Sequence, residues 1–353
     1  MAGTPALAPA QGDAVDEFGR AVALSGEVAV VLAEGHGAYV FEDDGGWSMT
    51  TVLTPEEQGN FGSHNVSAAM VGGEAILGGP DAGSEGGEIH LFERVDGQWQ
   101  QRHQFVPDGE RDEFGRSVAF DGDRVVVGDN NDPTPMRSWS GDAFVFARDG
   151  SNWTQEARLG TDAQDLFGTD VAVAGETVLV GAPYAGSETE ETGAVYGYEL
   201  RDDEWERRTT LAPDDSVDDS LFGHSVAFDG GTAVVGAPGR DGGSVYVFER
   251  FGDGWKRVAR ATAADAAPDD GFGESVDVAG EVAVVGAPDA GQAGQADVFR
   301  KDPDDGWVRT RRLVADEPRE DAAFGFAVAM HGATVLVGSP VFREPSPAYL
   351  FDL

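Results

Sequence analysis

The residues best suited to chemistry fall into three sets, two of them tied to a recurring Phe-Gly pair. Two positions past each Phe stand Arg20, Ser63, Arg116, Thr169, His224, Glu274 and Phe326. Cations, a carboxylate, hydroxyls and one ring at equivalent places suit recognition of a ligand by a few distinct polar groups. Drift at solvent-facing positions would give the same variety. Just before the pairs run Asp16-Glu17, Asp112-Glu113, Asp165, Asp218-Asp219, Asp269-Asp270 and Glu320-Asp321, with Gly59-Asn60 in the remaining copy. Such a crown could draw a divalent cation or a cationic partner. No cluster has the ligand spacing of a metal site, so solvated surface charge is the simpler reading. The third set is Met136-Arg137-Ser138-Trp139, inside the insertion Asp129–Gly141. Trp with Arg and Met suits an anchor for a protein or a sugar; the alternative is a loop that folds its Trp onto its own neighbourhood.

Catalytic patterns are sparse. The six His lie in unrelated repeat positions and form no His-x-x-x-His pair. Gly-x-Ser-x-Gly is absent. Acid pairs abound, but among 64 acids a carboxylate pair has no specificity for glycoside cleavage. The reading assigns no catalytic residue, no metal ligand and no cofactor.

The elements that must position these residues are clearest in Leu221–Arg250. Three apolar runs, Ser225–Phe228, Thr232–Val235 and Ser244–Phe248, alternate with turn signals. Asp229-Gly230-Gly231 suits a short hairpin, and Gly236-Ala237-Pro238 stops the second run because Pro has no N–H for a ladder. This meander recurs. Phe-Gly pairs start at Phe18, Phe61, Phe114, Phe167, Phe222, Phe272 and Phe324, in steps of 43, 53, 53, 55, 50 and 52 residues. A Gly-Ala-Pro-like stop follows five of them and is degenerate at Leu32-Ala33-Glu34 and Gly128-Asp129-Asn130. An aromatic strand comes third, and a strand opened by Trp47, Trp99, Trp153, Trp205, Trp255 or Trp307 comes fourth.

Four strands in each of seven copies predict an all-β chain: one domain over 1–353, a seven-bladed β-propeller of four-stranded antiparallel blades. The Phe of each pair should wedge between blades, and the Gly should let the innermost backbone approach the axis. The last copy lacks a fourth strand, while the first residues look like a fourth strand lacking three. Residues near Thr4–Ala8 should therefore complete the last blade beside Ala348–Phe351 and remove two open edges. Loops after the second and fourth strands emerge on one face, where the variable sequence concentrates.

The formal net charge is −40, with only two Lys among 24 cations. Such acid excess resembles proteins of salt-in halophiles, since molar salt shortens the Debye length to about 3 Å and screens self-repulsion. It speaks against nucleic acid as a partner. No apolar run is long enough to span a membrane, and no charged-then-apolar leader precedes Pro5. The chain has no Cys, so redox chemistry names no compartment.

Phe-Gly coupled to Gly-Ala-Pro, copied seven times, resembles the FG-GAP repeat family, which includes the propeller of integrin α-subunits and many microbial surface proteins. The resemblance covers essentially the whole chain. It implies the propeller and an extracellular or cell-surface place. Integrin-type copies hold calcium in an Asp-rich loop between strands one and two; here short turns such as Ser25-Gly26-Glu27 and Asp121-Gly122-Asp123 offer too few oxygens. The sequence looks closer to a calcium-free microbial branch. The expected role is non-enzymatic binding or adhesion by a monomer, with a protein or glycan ligand on the loop-rich face. A polysaccharide hydrolase or lyase at the channel mouth is the runner-up, and a structural unit of a larger surface protein is the third reading.

Overall fold

Runs such as Val28–Leu32 and Thr232–Ala237 are β-branched and buried almost throughout, as central strands covered on both faces must be. Fourth strands such as Gln98–Phe105 instead alternate half-buried and exposed residues, the period-two mark of an outer strand. The computed structural model describes residues 5–9, 15–56, 61–62, 65–80, 86–108, 113–130, 140–161, 163, 165–187, 190–213, 219–263, 267–341, 344 and 346–353. Among them there is no helix. Their strands form seven four-stranded antiparallel sheets, plus one two-residue hairpin at Gly186–Ser187 and Glu190–Glu191.

The first strands are Ala21–Ser25, Ser67–Val71, Phe114–Phe120, Val171–Ala174, Ser225–Asp229, Val276–Ala279 and Val328–His331. Each lies beside the next, and the seventh lies beside the first, which makes a ring. The ring is closed as the repeat predicts: Ala6–Leu7 pairs antiparallel with Ala348–Asp352, Ala6 opposite Tyr349 and Leu7 opposite Ala348. Leu7 is 2% exposed and packs with Phe18, Val22, Leu24, Leu336 and Leu350, so the start of the chain joins blade seven to blade one.

The seven apolar clusters lie between blades rather than within them. One joins Leu179, Val195 and Leu211 of blade four to Val226, Val235 and Phe248 of blade five. Phe222 sits in that cluster with its ring edge-on to Tyr246 and Phe248, at 5.3 and 6.0 Å. The wedging Phe is therefore as expected, and all seven are at most 2% exposed.

The glycines differ from the expectation. Their close approach is to the neighbouring blade, not to the axis. A Cβ on Gly236 would fall 2.0 Å from the carbonyl oxygen of Gly273, and one on Gly286 would fall 1.9 Å from that of Gly325. The Gly of one blade's Gly-Ala-Pro thus faces the Phe-Gly glycine of the next. In four blades a serine locks the seam, three residues past the Phe in blades three, five and six. Ser225 Oγ donates to Gly273 O at 2.8 Å, and Ser275 Oγ to Gly325 O at 2.8 Å. The two halves of the motif recur together because they touch.

Six of the outer strand pairs carry a bulge at one equivalent place, as between Val247 and Phe248. An extra residue there increases local twist and lets each blade coil outward from the axis.

Candidate functional site at the channel mouth

The first strands of all seven blades line one axial cavity of about 620 Å³. Arg20, Arg116, Thr169, His224, Glu274 and Phe326 all border it, so the ring read from the repeat is brought together. Ser63 lies outside the described residues. In blade two the seam serine is Ser67, which pairs with Gly78 as Ser225 pairs with Gly236. It stands six residues past Phe61 rather than three, so Val66 takes the equivalent place and lines the channel.

The ring divides into contacts. Arg20 reaches Glu17 at 3.4 Å and Glu34 at 3.2 Å, and its guanidinium lies 4.3 Å above the Phe326 ring. That stacks blade one on blade seven. His224 Nε2 lies 3.3 Å from Glu274 Oε1. Burial pushes the Glu274 carboxyl up, but His224, Arg116 and Arg20 outweigh it and hold the group below the usual carboxylate range. Burial pulls the Arg116 guanidinium down, against Glu113, Glu274 and Asp170. Thr169 is buried, donates to Leu166 O at 2.8 Å and accepts from Asn130 Nδ2 at 3.4 Å. The two copies with a degenerate Gly-Ala-Pro therefore use the changed residues, Glu34 and Asn130, to hold ring members.

Two channel carboxylates escaped the sequence reading. Asp170 stands where four blades place the seam serine and blades one and seven an alanine, and Asp277 where the others place an alanine such as Ala172 or Ala227. Asp170 accepts from Val171 N at 2.9 Å and from Val226 N of the next blade at 2.6 Å. Asp277 does the same with Val278 N and Met330 N, each at 2.7 Å. Innermost strands leave edge N–H groups unpaired toward the channel, and these carboxylates satisfy them. Burial pushes Asp170 up to about 6 and Asp277 up to about 7, with the N–H bonds pulling the other way. Superposing the seven copies would have shown both acids as departures from a small-residue column.

The acidic crown is not one surface. Asp165 is 1% exposed and accepts from Thr161 Oγ1, Phe167 N and Tyr196 OH at 2.8, 3.2 and 3.4 Å. Buried Asp270 accepts from Ala267 N at 2.7 Å. Asp219 pairs with Arg240. These acids brace turns. Glu320 and Asp321 remain exposed. No group of three or more His, Asp or Glu among the described residues is arranged to hold a metal ion. Met136, Arg137 and Trp139 lie outside the described residues.

A model of the FG-GAP repeat matches residues 99–146, 153–198, 205–248, 255–299 and 307–351. The chain belongs to the FG-GAP repeat family. Each matched FG-GAP unit runs from the outer strand of one blade to the third strand of the next, so a unit links two blades. The same offset leaves Ala6–Leu7 to finish blade seven. No curated protein matches the chain. Among solved structures, the WD40 β-propeller domain of Doa1 is similar with a TM-score of 0.62 at 12% identity, covering 98% of this chain and 96% of that one. Saccharomyces cerevisiae Sqt1 is similar with a TM-score of 0.52 at 10% identity, with both chains fully covered. At such identities the likeness is one of fold alone, and FG-GAP membership carries the argument further than either neighbour.

Proposed function

We propose that this FG-GAP propeller is a non-enzymatic binding module of a halophile's cell surface, acting as a monomer through its loop-rich face and channel mouth. One observation carries the reading. The seam position holds only Ser, Ala or, in blade four, Asp, while the mouth position holds Arg, Val, Arg, Thr, His, Glu and Phe in turn around one cavity. A rigid scaffold that varies most where a ligand could touch it is the usual arrangement of a binding surface. The sequence Met136-Arg137-Ser138-Trp139 is of a kind that suits an aromatic anchor for a protein or sugar. The halophile assignment is supported by the net charge of −40 and the near absence of Lys. The cell-surface assignment is supported by the family resemblance.

The test is an array of glycans and surface-protein fragments, probed in molar KCl with the wild type, Trp139→Phe and His224→Ala. Binding that weakens in either variant supports the reading. Failure to bind anything, or equal binding by all three, refutes it and favours a structural unit. A hydrolase reading has one observation in its favour, the raised carboxyls Asp170 and Asp277. Both oxygens of each already accept backbone N–H groups, which suits inter-blade bolts better than proton transfer. Release of reducing sugar that vanishes in Asp277→Asn would reverse that preference.

A further inference from the structure

Opposite charges face each other across the mouth without touching. Arg116 stands on blade three and Glu274 on blade six, three places apart in a ring of seven and so nearly opposite. Each senses the other's charge. No hydrogen bond or ion pair joins them, and the Arg116 guanidinium makes none with any described residue. Arg20, by contrast, is already engaged by two carboxylates and a ring. Glu274 meets His224 through Oε1, and its other oxygen has no bond to a described residue.

A guanidinium drawn partly out of water with five donors unspent fits a planar group bearing two oxygens. A simple anion there would also meet Glu113, Glu274 and Asp170, the carboxylates that surround Arg116. A simple cation at Glu274 would meet Arg116, Arg20 and His224. A molecule bearing both charges satisfies both sides. Being neutral overall, it is also not repelled by a chain of net charge −40. The cavity of about 620 Å³ lies in the range of small-molecule sites.

We propose that the channel mouth binds a small zwitterion of the amino-carboxylate class, with its carboxylate on Arg116 and its ammonium toward Glu274. This rests on the reading of the mouth as a binding site and narrows its ligand. The experiment titrates the full chain, in molar KCl, with the series from glycine to 6-aminohexanoate. Acetate and ethylammonium serve as single-charge probes, and the readouts are calorimetric heat and melting temperature. One chain length should bind best and raise the melting temperature, with acetate and ethylammonium weaker by about tenfold or more. Arg116→Gln and Glu274→Gln, checked for native circular dichroism, should each lose binding by at least about tenfold. Arg116→Lys, which keeps the charge without the fork, should weaken it too. The proposal is overturned if no member of the series binds, if acetate or ethylammonium binds as well as the best zwitterion, or if the variants bind like the wild type. A macromolecular ligand held by the loops would still be captured by Arg116→Gln, so failure of the zwitterion leaves the array test of the module intact.

Discussion

A methyl group added to Gly236 should cost more than one added to any hairpin glycine, because Gly236 touches the next blade. Its Cβ would lie 2.0 Å from Gly273 O and 2.2 Å from Ser225 Oγ. Ordinary contact needs more than an ångström of further separation. Neither atom is free to move: Gly273 N donates to Gly286 O at 2.9 Å, and Gly273 O accepts from Ser225 at 2.8 Å. Overpacking a tight core costs about 1–3 kcal/mol, and a lost seam hydrogen bond about 1 kcal/mol more, so Gly236→Ala should destabilise by about 3 kcal/mol. The control is Gly280→Ala, at φ +58° in a turn with no atom within 4 Å of the new carbon. It should cost only the left-handed penalty of about 1 kcal/mol. Urea unfolding at fixed molar KCl measures both. If Gly236→Ala costs no more than Gly280→Ala, the explanation of the paired motif is wrong.

Two further outcomes follow from the seam and the channel. Leu7→Ala should cost about 2–5 kcal/mol, as a buried Leu in a full fourth strand does, and should match Leu211→Ala, whose side chain is 3% exposed in the equivalent place; a cost below about 1 kcal/mol would show that the ring is not latched there. Asp277, raised from 3.8 to about 7, favours the folded state fully below its unfolded value and gives that up as pH rises through about 7. Urea midpoints of the wild type should therefore fall between about pH 4 and pH 7, a slope that Asp277→Asn should flatten; parallel profiles would remove the buried carboxyl from the account.

Blade number, strand order and the closing strand were legible because a sevenfold repeat states them many times over, and because Leu7 falls where Leu211 falls in its own unit. The ring Arg20, Arg116, Thr169, His224, Glu274 and Phe326 was legible for the same reason. Partners were not. That Gly236 meets Gly273 is a fact about two units, and a single unit does not contain it. Asp170 and Asp277 were lost among 64 acids, where burial is invisible without the neighbouring blade. Asp165 and Asp270 looked like surface charge for the same reason. Blade two misled by its spacing, since its seam serine, Ser67, stands six residues past Phe61 and Val66 fills the column.

The division between fixed and variable positions has a mechanical cause. Among the described residues, five seams have a glycine facing a glycine, four have a serine hydroxyl on a carbonyl, and all seven have a buried phenylalanine against at least one ring of the third strand. A change in any one of these must displace another blade, and closure of the ring passes that strain around the circle. The side chain two places past the Phe reaches the channel, where its partners differ from blade to blade: two carboxylates and a ring for Arg20, Asn130 for Thr169 and Glu274 for His224. Blades one and three depart from Gly-Ala-Pro at its last residue, and what stands there, Glu34 and Asn130, reaches Arg20 and Thr169 at the mouth. Blade three keeps its seam while doing so, since Gly128 still faces Gly168 and Ser117 Oγ still donates to Gly168 O at 3.1 Å, so the mouth is braced by residues just beyond the seam rather than at its expense.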